Sequence, residues 1–166
     1  MICCKSNAVL PLDLANEQAT RAFGKRIAQA SRLGDVITLV GDLGIGKTVF
    51  ARAFIQASTH ADEEVLSPTF TLLQIYEGEK MKIYHFDLFR LQHAEEAVEL
   101  GIEDALVEGI SLIEWPEKIG IFLPNNRLEI TFTQGRKPDQ RKVSLVGHGY
   151  WSAKLREFNS DDTTHV

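Results

Sequence analysis

Cysteine is scarce: a chain of 166 residues carries two, Cys3 and Cys4. Being adjacent, they cannot form an ordinary structural disulfide with each other. With no histidine or further cysteine to join them they make a poor zinc site. A disulfide-stapled scaffold is excluded, and the usage fits a reducing compartment. Long apolar runs are missing as well. Val36-Ile37 and Leu39-Val40, on either side of Thr38, fall far short of the ~20 residues that cross a bilayer. The opening MICCKSNAVLPLDL has no charged, then apolar, then small-residue signal pattern. A cytoplasmic protein without membrane attachment is expected. Positive charge is not in excess: 18 Lys and Arg stand against 23 Asp and Glu, a net charge of -5. That gives no broad electrostatic footprint for nucleic acid. Repeats and low-complexity tracts are absent too.

What remains is the composition of an ordinary globular domain, 44% hydrophobic and 25% charged. The length suits one domain, expected over residues 1–158, with a polar tail over 159–166 expected to fray. Residues 14–33 read as an amphipathic helix. Leu14, Ala19, Phe23, Ile27 and Ala30 recur at helical spacing, Asp13 or Asn16 stands ready to cap it, and Gly34 to stop it. DVITLV reads as a buried strand, followed by the glycine-rich GDLGIGKT and a second helical run, VFARAFIQAS. Residues 69–77 and 81–88 read as a hairpin across Gly78-Glu79-Lys80. Residues 94–107 read as an acidic helix, GISLIEW as another buried strand, 127–133 and 141–146 as a second hairpin, and 151–158 as a closing helix. The predicted fold is α/β: a P-loop NTPase-like mixed sheet with a parallel core and antiparallel edge hairpins, flanked by helices.

Gly41 to Thr48 satisfies G-x-x-x-x-G-K-[ST] at every fixed position, with the strand before it and the helix after it that this motif needs. Gly41, Gly44 and Gly46 allow backbone angles and approaches that a side chain would block. Main-chain N–H groups then wrap phosphates, and the helix from Lys47 aims its positive end at them. Lys47 would neutralise the β- and γ-phosphates, and the Thr48 hydroxyl would ligate Mg²⁺. The guanine-reading N-K-x-D string is missing, which favours ATP.

Two acids end apolar runs, where strand C-termini deliver side chains to a crevice. Asp87 follows IYHF and Glu114 follows ISLI. Either fits a metal-side carboxylate or a group orienting water. Ser67-Pro68-Thr69-Phe70-Thr71 lies where nucleotide switches carry a γ-phosphate-sensing hydroxyl, and equally reads as a Ser-Pro turn into a strand. Arg90 fits a phosphate contact or a carboxylate brace, and His85 a strand histidine hydrogen-bonded in place. The six acids between Glu95 and Glu108 and the bases Arg136, Lys137, Arg141 and Lys142 read as solvated surfaces. An ATP-binding phosphate-loop protein is the reading these residues support. A small-molecule kinase using the same loop is the alternative, weakened because the segment after the loop helix reads as a hairpin without a basic lid.

GDLGIGKT, SPTFTL, YHFDLFRL and LIEWPEK, in that order and spacing, resemble the TsaE (YjeE) family of bacterial tRNA threonylcarbamoyladenosine biosynthesis proteins, from about Glu17 to about Arg136. The resemblance implies a small P-loop ATPase of low intrinsic, partner-dependent activity. It implies a role in the threonylcarbamoyl (t6A) modification of adenosine 37 in tRNAs reading ANN codons, with the partners TsaB and TsaD and with tRNA met only indirectly. By position it implies a nucleotide site of Gly41, Asp42, Leu43, Gly44, Ile45, Gly46, Lys47, Thr48 and Val49. Thr48 and Glu114 would be Mg²⁺ ligands, with Asp87 beside the γ-phosphate and the metal. Lys47, Asp87 and Glu114 would be the catalytic set. Glu17 would lie near the adenine, Trp115 near the nucleotide, and Arg136 at a further nucleotide contact. The family often has Ala where Ile45 stands and Tyr where Phe89 stands.

Overall fold

The computed structural model describes residues 7–161. Cys3, Cys4 and the tail beyond Asp161 lie outside them. One seven-stranded sheet organises the chain: β1 (Ala8–Leu14), β2 (Val36–Val40), β3 (Leu73–Glu77), β4 (Lys82–Asp87), β5 (Gly109–Glu114), β6 (Arg127–Gln134) and β7 (Arg141–His148), in the spatial order β1-β7-β6-β2-β5-β4-β3. β2 runs parallel to β5 and β6, and β4 parallel to β5, whereas β3–β4, β6–β7 and β1–β7 are antiparallel. This is the expected parallel core with antiparallel edges. Sequence reading missed β1. Leu10, Leu12 and Leu14 alternate as a strand should, but Pro11 among them argues against one, because proline sits in a sheet only where its missing N–H costs no ladder bond. β1 is an edge strand, so it tolerates one.

The helices are α1 (Glu17–Ala30), α2 (Lys47–Ser58), α3 (Glu96–Glu99), α4 (Ile102–Glu108) and α5 (Tyr150–Asp161). Asn16 caps α1, its Oδ1 accepting from the Ala19 N–H at 2.9 Å. Gly34 does not close that helix as expected. Ser31 does, in extended backbone, and Gly34 (φ 88°) turns the chain into β2 while its N–H donates to Gly109 O. The single acidic helix expected over 94–107 is two short ones, divided where Gly101 adopts φ 81°. The closing helix runs on to Asp161, three residues past the expected end.

Two apolar clusters sandwich the sheet. One joins α1, α2 and α5 through Phe23, Phe50, Phe54, Phe132, Trp151 and Leu155. Phe50 is fully buried, its ring 5.3 Å from Phe23 and 5.9 Å from Phe132. It nails the first turns of α2 to both α1 and the sheet, which holds the phosphate loop still. Gly24 makes that approach possible, because a Cβ there would lie 2.7 Å from Phe50 O. The other cluster packs Tyr84, Phe86 and Ile113 against Leu88, Ile102 and Ala105 of the α3–α4 region.

Candidate functional site

Strand direction gathers the site. β2, β4 and β5 run parallel, so their C-terminal ends share one edge. β2 leads into the loop 41–46, β4 ends at Asp87 and β5 at Glu114. Asp87 pairs in register with Glu114, and Glu114 with Leu39, so all three project from one face of the sheet. Two positions back along that face stand His85 on β4 and Leu112 on β5, and four back Ile83 and Ile110. The face is apolar at its base and acidic at its rim.

The loop has the angles its glycines foretold, with φ of 147°, 76° and 113° at Gly41, Gly44 and Gly46. At Gly41 the need is also steric: a Cβ would lie 2.8 Å from Phe132 O. Gly46 precedes α2 with no side-chain cap, so the first N–H groups of the helix face the loop unsatisfied, an anion-binding arrangement. Lys47 is 5% exposed. Its ammonium donates to Gly41 O and, at 3.1 Å, to Asp42 O, and lies 4.0 Å from the centre of the Trp115 ring. Burial pushes the Lys47 ammonium below its ordinary range, against the pull of Glu114, Asp87, Glu117 and Asp42. Trp115 reaches over it from a left-handed backbone (φ 60°) that Pro116 follows. A non-glycine residue there costs of order 1–3 kcal/mol and is held by its surroundings. Phe89 packs on Trp115 with ring centres 4.9 Å apart.

Asp87 and Glu114 are 5% and 3% exposed. Asp87 Oδ2 accepts from Thr69 Oγ1 at 3.1 Å, and Oδ1 from the Phe89 N–H at 3.1 Å. Thr69 in turn bonds Ser67 Oγ at 2.8 Å. Glu114 Oε1 meets His85 Nε2 at 3.1 Å. No lysine or arginine forms an ion pair with either carboxylate among the described residues.

A cleft of about 180 Å³ is lined by Leu43, Gly44, Gly46, Lys47, Thr48, Val49, Ser67, Thr69, Asp87, Glu114 and Trp115. A second hollow of about 270 Å³ shares Gly44, Gly46 and Val49 and adds Glu17, Thr20, Ile45, Asp139 and Arg141. Most of the expected site therefore converges, Glu17 included. Gly41 and Asp42 contribute as the carbonyls under Lys47. Arg136 is the exception. It lies exposed on the β6–β7 turn, its N–H donating to Gln140 Oε1, and lines neither hollow. Arg141 stands in the second hollow instead, its Nε donating to Ile45 O at 2.8 Å. Arg90 stacks on the Phe70 ring at 4.3 Å and lines neither hollow. Ser67 and Thr69, left open between switch and strand, sit in the cleft and outside β3. His85 is buried and hydrogen-bonded in place as expected, though to a site carboxylate.

Chemically, the arrangement offers main-chain donors and one ammonium for an oligophosphate. Beside them stand two desolvated carboxylates that share the pull of one ammonium, Lys47, and make no ion pair with it. Buried charge is expensive unless paired. A divalent cation would supply the balancing charge, and Thr48 and a rim carboxylate are the side chains that could hold it. Mg²⁺ sites are built this way, without an all-protein cage. No group of three or more His, Cys, Asp or Glu side chains that could hold a metal occurs among the described residues.

The model of the family "Threonylcarbamoyl adenosine biosynthesis protein TsaE" matches residues 14–143. The chain is 43% identical over 119 residues to the tRNA threonylcarbamoyladenosine biosynthesis protein TsaE of Rickettsia felis, covering 72% of this chain and 70% of that one. To the protein of the same name from Bacillus subtilis it is 34% identical over 135 residues, covering 81% and 83%. Its fold matches the crystal structure of Bacillus subtilis YdiB with a TM-score of 0.78 and 29% identity, over 95% of this chain and 98% of that one.

Proposed function

The chain belongs to the TsaE family, and from that premise we propose that it binds and hydrolyses ATP to drive t6A modification of adenosine 37 in tRNAs reading ANN codons, acting in the cytoplasm with TsaB and TsaD. The observation that carries the nucleotide reading is the pairing of Asp87 with Glu114, buried in register at the mouth of an uncapped helix that begins with Lys47. Gly41 to Gly46 and the first N–H groups of α2 grip the phosphates. Lys47 leaves its two carbonyl partners to neutralise phosphate charge. Glu17 and the second hollow receive the nucleoside. Thr48 and Glu114 would hold Mg²⁺, which when bound would neutralise charge on the phosphate oxygens. Asp87, fixed by the Phe89 N–H, accepts a hydrogen bond from the attacking water.

Two features support slow turnover by the protein alone. Thr69 spends its hydroxyl on Asp87 and Ser67, so the segment that senses phosphate must reorder. Leu43 and Phe70, 69% and 81% exposed, flank the mouth with bare apolar surface suited to a partner. Among the described residues no helix is long and apolar enough to cross a membrane. The segment 59–72, where a kinase would carry its basic lid, has neither lysine nor arginine.

The deciding experiment is ATP hydrolysis by the purified protein alone, with TsaB and TsaD, and with tRNA added. Stimulation by the two proteins is expected, with little further change from tRNA. Rapid phosphorylation of a small metabolite, indifferent to TsaB and TsaD, overturns the reading in favour of the kinase.

A further inference from the structure

His85 is fully buried on β4, in register with Leu112 of β5 and Gln74 of β3. Its neighbours along the same face are Ile83 and Asp87. Aliphatic side chains are the default in such a slot, because an imidazole there needs a partner for its N–H. It has a single side-chain hydrogen bond among the described residues, Nε2 to Glu114 Oε1 at 3.1 Å, and its Nδ1 has none. A carboxylate only accepts, so the shared proton belongs to Nε2. Nothing in the strand ladder requires a histidine at this position, and its one polar interaction goes to the rim carboxylate.

The two rim acids are anchored differently. Asp87 has both oxygens tied down, by Thr69 and by the Phe89 N–H. Glu114, with one more rotatable bond, has His85 alone. Since Glu114 also lines the cleft, fixing Oε1 from behind leaves Oε2 as the oxygen offered forward. We propose that His85 is a positioning residue for the metal site: through its Nε2–H it holds Glu114 in the rotamer that presents one oxygen to the cation. This rests on the reading of Glu114 as the Mg²⁺ ligand. Hydrogen-bonded supports of this kind are worth about 10–100-fold in metal affinity.

The test compares His85→Gln with His85→Asn. The Gln amide reaches the place of Nε2, whereas the Asn amide is shorter and ends near the place of Nδ1, so the pair separates position from mere polarity. Mn²⁺ binding to the complex with a non-hydrolysable ATP analogue, followed by electron paramagnetic resonance, reads the site without turnover. Calorimetry of the analogue in EDTA reads nucleotide affinity alone, and circular dichroism confirms folding. In His85→Asn, Mn²⁺ affinity is expected to fall about tenfold with metal-free affinity unchanged, and in His85→Gln to stay within about threefold of the native protein. The double variant His85→Asn with Glu114→Gln should be no worse than Glu114→Gln alone, because the histidine acts through the carboxylate. Equal Mn²⁺ affinity in folded His85→Asn and the native protein, or additive losses in the double variant, overturns the positioning role alone. Native Mn²⁺ affinity in Glu114→Gln overturns the metal assignment, and the positioning role with it.

Discussion

Strands β5 and β6 both lie alongside β2 and parallel to it, yet they bury different things. All six residues of β5 are buried, Glu114 included. β6 buries Leu128, Ile130 and Phe132, half-covers the residues between, and ends in exposed Thr133 and Gln134. The reason lies in what covers them. β5 is the middle of the parallel half, with apolar clusters on both faces. β6 opens the antiparallel wing, which β7, β1 and α5 complete. A strand covered on both sides delivers whatever stands at its end into a dry place, where a charge acts strongly and costs much. Among the described residues Lys47, Asp87 and Glu114 are buried charged groups gathered where phosphate chemistry is proposed, and the wing's buried residues are mainly apolar ones whose work is adhesion. The largest expected effect is therefore on stability and comes from the wing. Trp151 is 1% exposed, its indole N–H has no partner among the described residues, and Lys154 Nζ lies 4.4 Å from its ring centre, so it contributes through ring contacts rather than a hydrogen bond. Trp151→Ala should cost about 3–5 kcal/mol and lower Tm by about 10 °C in a circular dichroism melt. The folded fraction should bind ATP with native affinity. A fall in that affinity would mean that the two halves are coupled rather than divided in labour.

The converse variant is Lys47→Ala. Removing the ammonium leaves phosphate charge uncompensated, and calorimetry should find ATP affinity lower by about 3 kcal/mol, near 100-fold. Stability should hold or rise, because the buried ammonium is already disfavoured by desolvation. Unchanged affinity would remove the loop from the nucleotide site altogether.

How much of this was legible in the amino-acid sequence follows the same division. The phosphate loop and the two rim acids were readable because their geometry is local: glycines at fixed offsets, and acids that close apolar strands. β1 was not, since its pairing with β7 joins residues more than a hundred positions apart and Pro11 argues against a strand. The split between α3 and α4 had a signal in Gly101, outweighed by the helical periodicity around it. His85 was read as a bonded strand histidine, but only the register of β4 on β5 reveals that its partner is Glu114. The resemblance pointed to Arg136 for the nucleotide contact, in a basic turn that Arg141 shares. Which of them reaches the loop depends on how β7 is staggered against β6, with Gln134 opposite Arg141.

That stagger supports the smallest of the three effects. Arg141 begins β7, and its guanidinium clamps the turn through Pro138 O and Gln140 O while its Nε holds Ile45 O at 2.8 Å. Through it the wing touches the site at the phosphate loop. Ile45 carries a β-branched side chain in a loop rich in glycine, so a fixed carbonyl there limits how many shapes the loop samples before binding. Without the clamp the loop must be ordered when the nucleotide arrives, and the loss appears as weaker binding. Arg141→Ala should weaken ATP about tenfold, the worth of one hydrogen bond from a charged donor. Arg141→Lys should recover little, since an ammonium cannot span the turn carbonyls and Ile45 O as the planar fork does. Hydrogen exchange at the amides of 43–46 should quicken in both variants. Native affinity with quickened exchange would show that loop order and nucleotide binding are independent, and that the wing contributes nothing to the site beyond holding the sheet together.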